Sequence, residues 1–318
     1  MNRRDFIKAG SWSAAALTLG RLQLFAQSGA TGAVPKRPFG KTGIELSVVG
    51  FGGIIVRDAL QSVANRSVAQ AVERGVNYFD VAPNYGDAEI KLGPALEPYR
   101  KNCFLACKTQ KRDYASAKEE FHRSLERLRT DYFDLYQLHA ITDVEKDVEA
   151  AFADDGAMKL LREAKKDGRI HHLGFSAHSQ EAAFRAMELH DFDSILFPVN
   201  FAAYLKGDFG EPVVKAAAEK GMAVLALKVL ARQHAPKEDP IRQQYPKCWY
   251  QPVVDPEEAR LAMSFTLNQP VTSVLPPGEQ RLFDLALDSV PETKKVSAAE
   301  FAKIREICAQ LDKPIFAR

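Results

Sequence analysis

VNYFDVAPNYGDAEIKLG, the run from Val76 to Gly93, decides how the rest of the chain is read. A short apolar run (Val76, Tyr78, Phe79) ends in the ionisable Asp80. Tyr85 follows five residues later on the Tyr85-Gly86 of a turn, and a segment with helical spacing then opens. A strand that ends in an ionisable pair fits a site at the mouth of an α/β sheet better than it fits a core element.

Seven further apolar runs surround it: Leu46–Phe51, Cys103–Cys107, Phe133–Leu138, His172–Phe175, Ile195–Val199, Ala223–Leu227 and Ser273–Leu275. Between them lie segments of helical periodicity. In Tyr114–Arg129 the apolar Ala117, Phe121, Leu125 and Leu128 recur at spacings of three and four,. Glu211–Lys220, Pro256–Leu267 and Ser297–Leu311 read likewise, the last with a Ser297…Glu300 capping box,. Eight strands alternating with helices imply parallel strands and crossover helices. Closing the set predicts a (β/α)8 TIM barrel, which suits the 318-residue length,. The alternative is a doubly wound open sheet, but Gly50-Phe51-Gly52-Gly53 lacks the dinucleotide-fingerprint spacing that such a sheet normally carries,. Ahead of the barrel, Arg37–Ser47 places a Gly-Lys-Thr-Gly turn between two extended runs, an N-terminal β-hairpin,. The longest irregular stretch, Ala231–Asp255, has the length of a functional lid, with Trp249 and Tyr250 expected to face the substrate,.

In such a barrel the chemistry sits where strands end. Those positions hold Asp80, Lys108, His139, Ser176, Asn200 and Lys228 after the second to seventh runs. Each alone is an ordinary polar loop residue, whereas the set points to one shared pocket. Four members make a coherent acid. A phenol ionises near about 10, and a neighbouring ammonium lowers that value. Asp80 would keep Lys108 charged, and His139 would hydrogen-bond a substrate oxygen. Tyr85 in that setting protonates an oxyanion as it forms. Protonation is half of a carbonyl reduction; the hydride requires a nicotinamide or similar cofactor.

At this point the chain resembles the aldo-keto reductases. DVAPNYGDAEIKLG, with Asp80, Tyr85, Gly86, Glu89 and Gly93, is similar to that family's second-strand motif. ACKT around Lys108 and LYQLH ending in His139 resemble the next two motifs, in order. GFSAH (Gly174 to His178) resembles the fifth-strand motif and SVLP (Ser273 to Pro276) the eighth. The resemblance covers residues 37 to about 312, essentially all of the chain after the expected signal. It implies a barrel plugged at its bottom by the hairpin and a nicotinamide cofactor across the top, NADP(H) with NAD(H) as the alternative. It implies Tyr85 as general acid, Lys108 as its pKa-lowering partner, Asp80 as the anchor of Lys108 and His139 as the group orienting a small-molecule carbonyl substrate. Gly52, Gly53, Asp80, Ser176, Asn200, Lys228 and Arg281 are the cofactor residues it implies. The chain departs from the pattern at Ala177 (usually Asn), Leu196 (often Gln) and Leu227 (often Tyr). Pro277-Gly278 stand where a Lys-Ser pair is common. A second class of function is a slow cofactor-binding or sensing module, and a third is oxidation of a sugar or alcohol by tightly bound cofactor; the intact set of four favours the reductase.

Residues 1–30 read as a twin-arginine signal peptide ahead of a barrel over 31–318. Arg3-Arg4, Phe6 and Lys8 precede a weakly apolar stretch, Ala9 to Ala26, and Ser28-Gly29-Ala30 offers a cleavage site,. The expectation is a periplasmic protein that uses the twin-arginine export machinery and keeps no membrane span after cleavage, since Ser11, Ser13, Thr18 and Arg21 interrupt the apolar stretch,. A hydrophobic content of 46%, 26% charged residues and net charge +2 describe a globular chain with no case for nucleic acid,. The basic pairs Lys111-Arg112 and Lys294-Lys295 read as solvated surface. Cys103 and Cys107, about 13 Å apart along a strand, cannot pair; Cys248 and Cys308 are left open. No metal is expected, because no CxxC occurs, and alternate residues of His171, His172 and His178 face opposite sides of a strand.

Overall fold

The computed structural model describes residues 33–290 and 295–317; the export-signal reading lies outside them. Strand β1 (Lys36–Pro38) pairs antiparallel with β2 (Glu45–Ser47), with Lys36 opposite Ser47. Seven strands follow, and from β4 on each pairs parallel with the one before it: β3 (Phe51–Gly52), β4 (Tyr78–Asp80), β5 (Phe104–Thr109), β6 (Phe133–Ile141), β7 (Ile170–Ala177), β8 (Ser194–Pro198) and β9 (Ala223–Leu227). After β10 (Ala231–Gln233) and β11 (Gln251–Pro252), which form a separate antiparallel ribbon, β12 (Ser273–Leu275) returns to β9. Backbone bonds then join the last strand to the first. The Gly50 N–H donates to the Val274 carbonyl and the Val274 N–H to the Val48 carbonyl, both at 2.9 Å. The expected eight-stranded parallel barrel with helices between its strands is what forms.

Two expectations change. The apolar run Leu46–Phe51 is not one strand: Leu46 and Ser47 finish the hairpin, while Phe51 begins the barrel. Gly50 at the joint lies against the Tyr78 ring, and a Cβ there would also reach within 2.9 Å of Leu275. The stretch Ala231–Asp255 is irregular over most of its length but not throughout. It contains β10, β11 and a short helix, Pro240–Gln244, capped by the Asp239 side chain on the Arg242 N–H.

Side-chain alternation sorts the strands into two packed layers. Tyr78, Phe104, Ala106, Leu135, Leu196, Leu225 and Leu275 form an inner cluster, closed at the bottom by Phe39 and Leu46 of the hairpin. Their neighbours Phe79, Leu105, Cys107, Tyr136, Phe175 and Phe197 face the helical layer. Further up the same inward face the residues turn polar, at Asp80, Lys108, Gln137, His139 and Ser176. All four cysteines are buried and free, so Cys248 and Cys308 are not bridged. Among the described residues no helix is long and apolar enough to cross a membrane.

The opening motif also fixes a helix. Glu89, buried on the helix Ala88–Leu96, pairs with Arg127 at 3.3 Å. One turn on, Gly93 touches the end of the helix Tyr114–Leu128, where a Cβ would press on the Arg127 carbonyl and approach the Leu128 Cα to 2.9 Å. Both obstacles are backbone and cannot swing away. Gly93→Ala is expected to cost about 2 kcal/mol as an overpacked contact, read as a lower urea midpoint. An unchanged midpoint would show that this contact does not require glycine.

Candidate active site

The site is built on the eight barrel strands, towards their C-terminal ends. At its base Asp80 of β4 and Lys108 of β5 form an ion pair with side-chain exposures of 3% and 0%, out of reach of bulk water. Asp80 also accepts the Tyr78 hydroxyl at 3.0 Å and the Gln137 amide at 3.3 Å. Lys108 donates further to the Val81 carbonyl at 3.2 Å. Breaking such a pair by removing one partner typically costs about 3–5 kcal/mol, because the other charge is left buried and unpaired. Burial pushes the Lys108 ammonium down, but Asp80 and Tyr85 more than offset it, so the group is held above its ordinary value.

Tyr85 stands over this pair on the turn after β4. Its ring centroid lies 5.7 Å from Lys108 Nζ and 5.7 Å from the His139 ring, which meets it edge-on. Burial pushes the phenol up and Lys108 pulls it down, while Asp80 adds to the rise. The net direction is upward. The lowering expected from Lys108 is therefore present but smaller than the effect of burial, and Tyr85 is a protonated donor at neutral pH. His139 is pushed well below its usual range, first by burial and then by Lys108, His178 and Arg112. Its ring is neutral. Its Nδ1 is buried without a hydrogen-bond partner, so Nε2 is the nitrogen available to a ligand,.

A cavity of about 300 Å³ gathers Gly52, Asp80, Tyr85, His139, Ser176 and Lys228, with Lys108 against Asp80 beneath. Trp249 and Tyr250 line it too, and Tyr250 also packs in a satellite cluster with Ala231, Cys248 and Leu282. Besides Lys108, three candidates do not line it. Gly53 packs on Val81. Asn200 lies beneath Lys228, donating to its carbonyl at 3.1 Å while capping the Ala203 N–H at 2.8 Å. Arg281 is exposed, bonds the Gln244 carbonyl at 2.8 Å and sits 4.6 Å over the Tyr245 ring. The three histidines part company: His171 stacks on Tyr132, His172 packs near Phe39, and His178 faces the cavity.

Other participants escaped the sequence reading. Gln137 was legible, because it precedes His139 by two on one strand and shares its face. Lys247 lines the cavity and donates to the Ile55 carbonyl at 2.7 Å, a contact that no local pattern signals. Arg112 is no solvated surface residue; it is half-buried and donates to the His139 carbonyl at 2.7 Å. Lys228 adopts a left-handed backbone, φ +72°, and its ammonium lies 4.8 Å from the Tyr250 ring centroid and 5.2 Å from that of Trp249. Among the described residues that ammonium has no ion-pair or hydrogen-bond partner. Burial lowers it to about 8, a fall that Cys248 opposes.

Residues 51–289 match the model of the aldo/keto reductase family. The chain belongs to that family. It is 32% identical over 159 residues to the oxidoreductase YqkF of Bacillus subtilis, covering 45% of this chain and 48% of that protein. It is 31% identical over 170 residues to the aldo-keto reductase YhdN of the same organism, covering 46% and 48%. The chain thus spans about half the length of the curated relatives it matches. A solved aldo-keto reductase from Bacillus halodurans superposes with a TM-score of 0.66 over 86% of this chain and 96% of its own, at 23% identity, a likeness of fold.

The resemblance to this family implies a nicotinamide cofactor. The cavity fits such a group. A Cβ added at Gly52 would meet nothing within 4 Å, Leu196 and Leu227 offer apolar walls to a flat ring, and Lys228 offers an unpaired cation to phosphate. Lys228 is charged below about pH 8 and neutral above it. Affinity for NADPH is therefore expected to weaken as pH rises from 7 to 9, and Lys228→Met should remove that dependence. Fluorescence titration reads both, and an equally steep pH dependence in the variant would take Lys228 out of the site.

Proposed function

We propose that the protein reduces the carbonyl group of a small aldehyde or ketone. The observation that carries this is the protonated Tyr85 hydroxyl set between neutral His139 and the sealed Asp80–Lys108 pair. A nicotinamide cofactor, when bound, supplies the hydride that no side chain can. The chain's own residues handle the oxygen. His139 Nε2–H donates to the carbonyl oxygen and fixes its direction. Tyr85 gives its proton to that oxygen as negative charge develops, and Lys108 stabilises the phenolate left behind. Asp80 keeps Lys108 charged and in place. A slow binding module would have no use for an acid so assembled, at the cost of two buried charges.

Gly52, Ser176, Leu196, Leu227 and Lys228 would hold the cofactor, with Asn200 supporting Lys228 from below. The choice of NADP(H) over NAD(H) is supported by two lysines, Lys228 and Lys247, on a cavity whose carboxylate, Asp80, is already neutralised by Lys108. Tyr85→Phe is expected to lower turnover by at least about 10² as the loss of a general acid, while NADPH still binds as to the unaltered protein and more tightly than NADH. Near-normal turnover in this variant would end the assignment, and tighter NADH binding would reverse the cofactor choice.

We also propose export to the periplasm by the twin-arginine route, supported by Arg3-Arg4, Phe6, Lys8 and the weakly apolar stretch after them,. Replacing Arg3 and Arg4 together by lysine is expected to retain the protein in the cytoplasm. Cell fractionation tests this; unchanged recovery from the periplasm would refute that route.

A further inference from the structure

We propose that Arg112 and Asp147 are positioning residues for His139, holding open a break in β6 that turns two successive residues onto the catalytic cavity. The proposal rests on the reading of His139 as the group that meets the carbonyl oxygen.

The pairing of β6 with β7 runs regularly as far as Leu138 opposite Phe175. It slips there and resumes with Ile141 opposite Ala177. At the slip Ala140 is left-handed, φ +56°, a conformation that is costly for a residue with a Cβ,. A broken ladder strands a carbonyl and an N–H, and buried backbone groups need replacement partners. Side chains supply both. Arg112 Nη2 donates to the His139 carbonyl at 2.7 Å, and Ser176 Oγ accepts the Ala140 N–H at 2.7 Å. As a result His139 and Ala140 both line the cavity, whereas a regular strand would send one of them outward,.

Arg112 is itself held from the far side. Asp147 Oδ1 accepts its Nε at 3.1 Å and its Nη2 at 3.0 Å. Asp147 Oδ2 collects the N–H groups of Thr142 and Asp143 at 2.8 and 3.0 Å, just beyond the break. Nη1 reaches the Thr109 carbonyl at 3.4 Å, next to Lys108. One guanidinium thus ties the strand end that carries Lys108 to the strand end that carries His139. Neither Arg112 nor Asp147 lines the cavity, so neither touches the reacting atoms.

Arg112→Gln tests the clamp in the full-length enzyme. Its kcat for carbonyl reduction is expected to fall at least about tenfold, since a small misplacement of a catalytic group can cost about 10² in rate, while the Kd for NADPH stays within about twofold. A merely structural role would not move a second readout, the pH profile. His139 faces Lys108 from β5, Arg112 from the following loop, His178 from beyond β7 and the Tyr85 ring from beyond β4. With the Arg112 charge gone its imidazole gains a proton at higher pH, so the acid limb of kcat moves up. Arg112→Lys keeps the charge and should restore the profile but only part of kcat, because an ammonium cannot bridge both partners. If Arg112→Gln does not fold, Asp147→Asn decides: lower kcat with unchanged NADPH affinity supports the clamp. Unaltered kcat and pH profile in folded Arg112→Gln, or unaltered kcat in Asp147→Asn where that variant decides, overturns it. Turnover surviving Tyr85→Phe would instead overturn the reading of the site, so the two failures are told apart.

Discussion

The site depends on two opposite charges that water does not reach. Asp80 and Lys108 sit on neighbouring strands with their side chains on the inner face of the barrel, and burial makes each useless without the other. Tyr78 and Gln137 satisfy the remaining capacity of Asp80, and the Val81 carbonyl takes another proton of Lys108. The cost of sealing the pair is thereby offset by hydrogen bonds on both sides. What the pair provides is a fixed positive charge under Tyr85 that needs no solvent to sustain it. The phenol feels that charge, yet the same burial that isolates the pair also raises the phenol. The balance leaves a protonated donor beside a cation able to receive the phenolate, which suits a group that must give up its proton only when a stronger base appears.

The barrel makes this arrangement possible through strand parity. Tyr78 and Asp80 on β4, Phe104, Ala106 and Lys108 on β5, and Leu135, Gln137 and His139 on β6 alternate with residues that face the helices,. Each inward series is apolar low in the barrel, where the hairpin plugs it, and polar at the top. The polar groups meet because the strands are parallel and registered, with Lys108 opposite Gln137 and Gln137 opposite Gly174. Where parity would have carried the chain away from the cavity, at Ala140, the ladder breaks and borrowed side chains complete its hydrogen bonds.

The segment between β9 and β12 shows a different economy. Lys228 is held in a left-handed conformation with Asn200 on its carbonyl, and its ammonium rests against two rings, Trp249 and Tyr250, brought by the bend just before β11. Lys247 crosses from that segment to the Ile55 carbonyl, while its own N–H is taken by Glu279 at the start of the helix Gln280–Asp288. Backbone and side-chain bonds thus wall the cavity beside Leu227 and Pro277-Gly278.

The sequence by itself determined the eight-strand rhythm, the hairpin, the helices that begin near Tyr114, Glu211, Pro256 and Ser297, and the four groups Asp80, Tyr85, Lys108 and His139. These are local facts: apolar runs of strand length, periods of three and four, and one polar residue at the exit of each run from the second to the seventh. Only the tertiary structure decided what depends on contacts between distant segments. It split Leu46–Phe51 at Gly50 because the Tyr78 ring occupies the space beside that glycine. It turned Arg112 from a surface pair into a buried bridge, because the acceptor it needs appears only when β6 breaks beside it. It removed Gly53, Asn200 and Arg281 from the cavity wall and added Lys247. It also set the direction of the Tyr85 shift, since the contest between burial and a neighbouring charge is settled by how much water the fold excludes, a quantity that no stretch of residues contains.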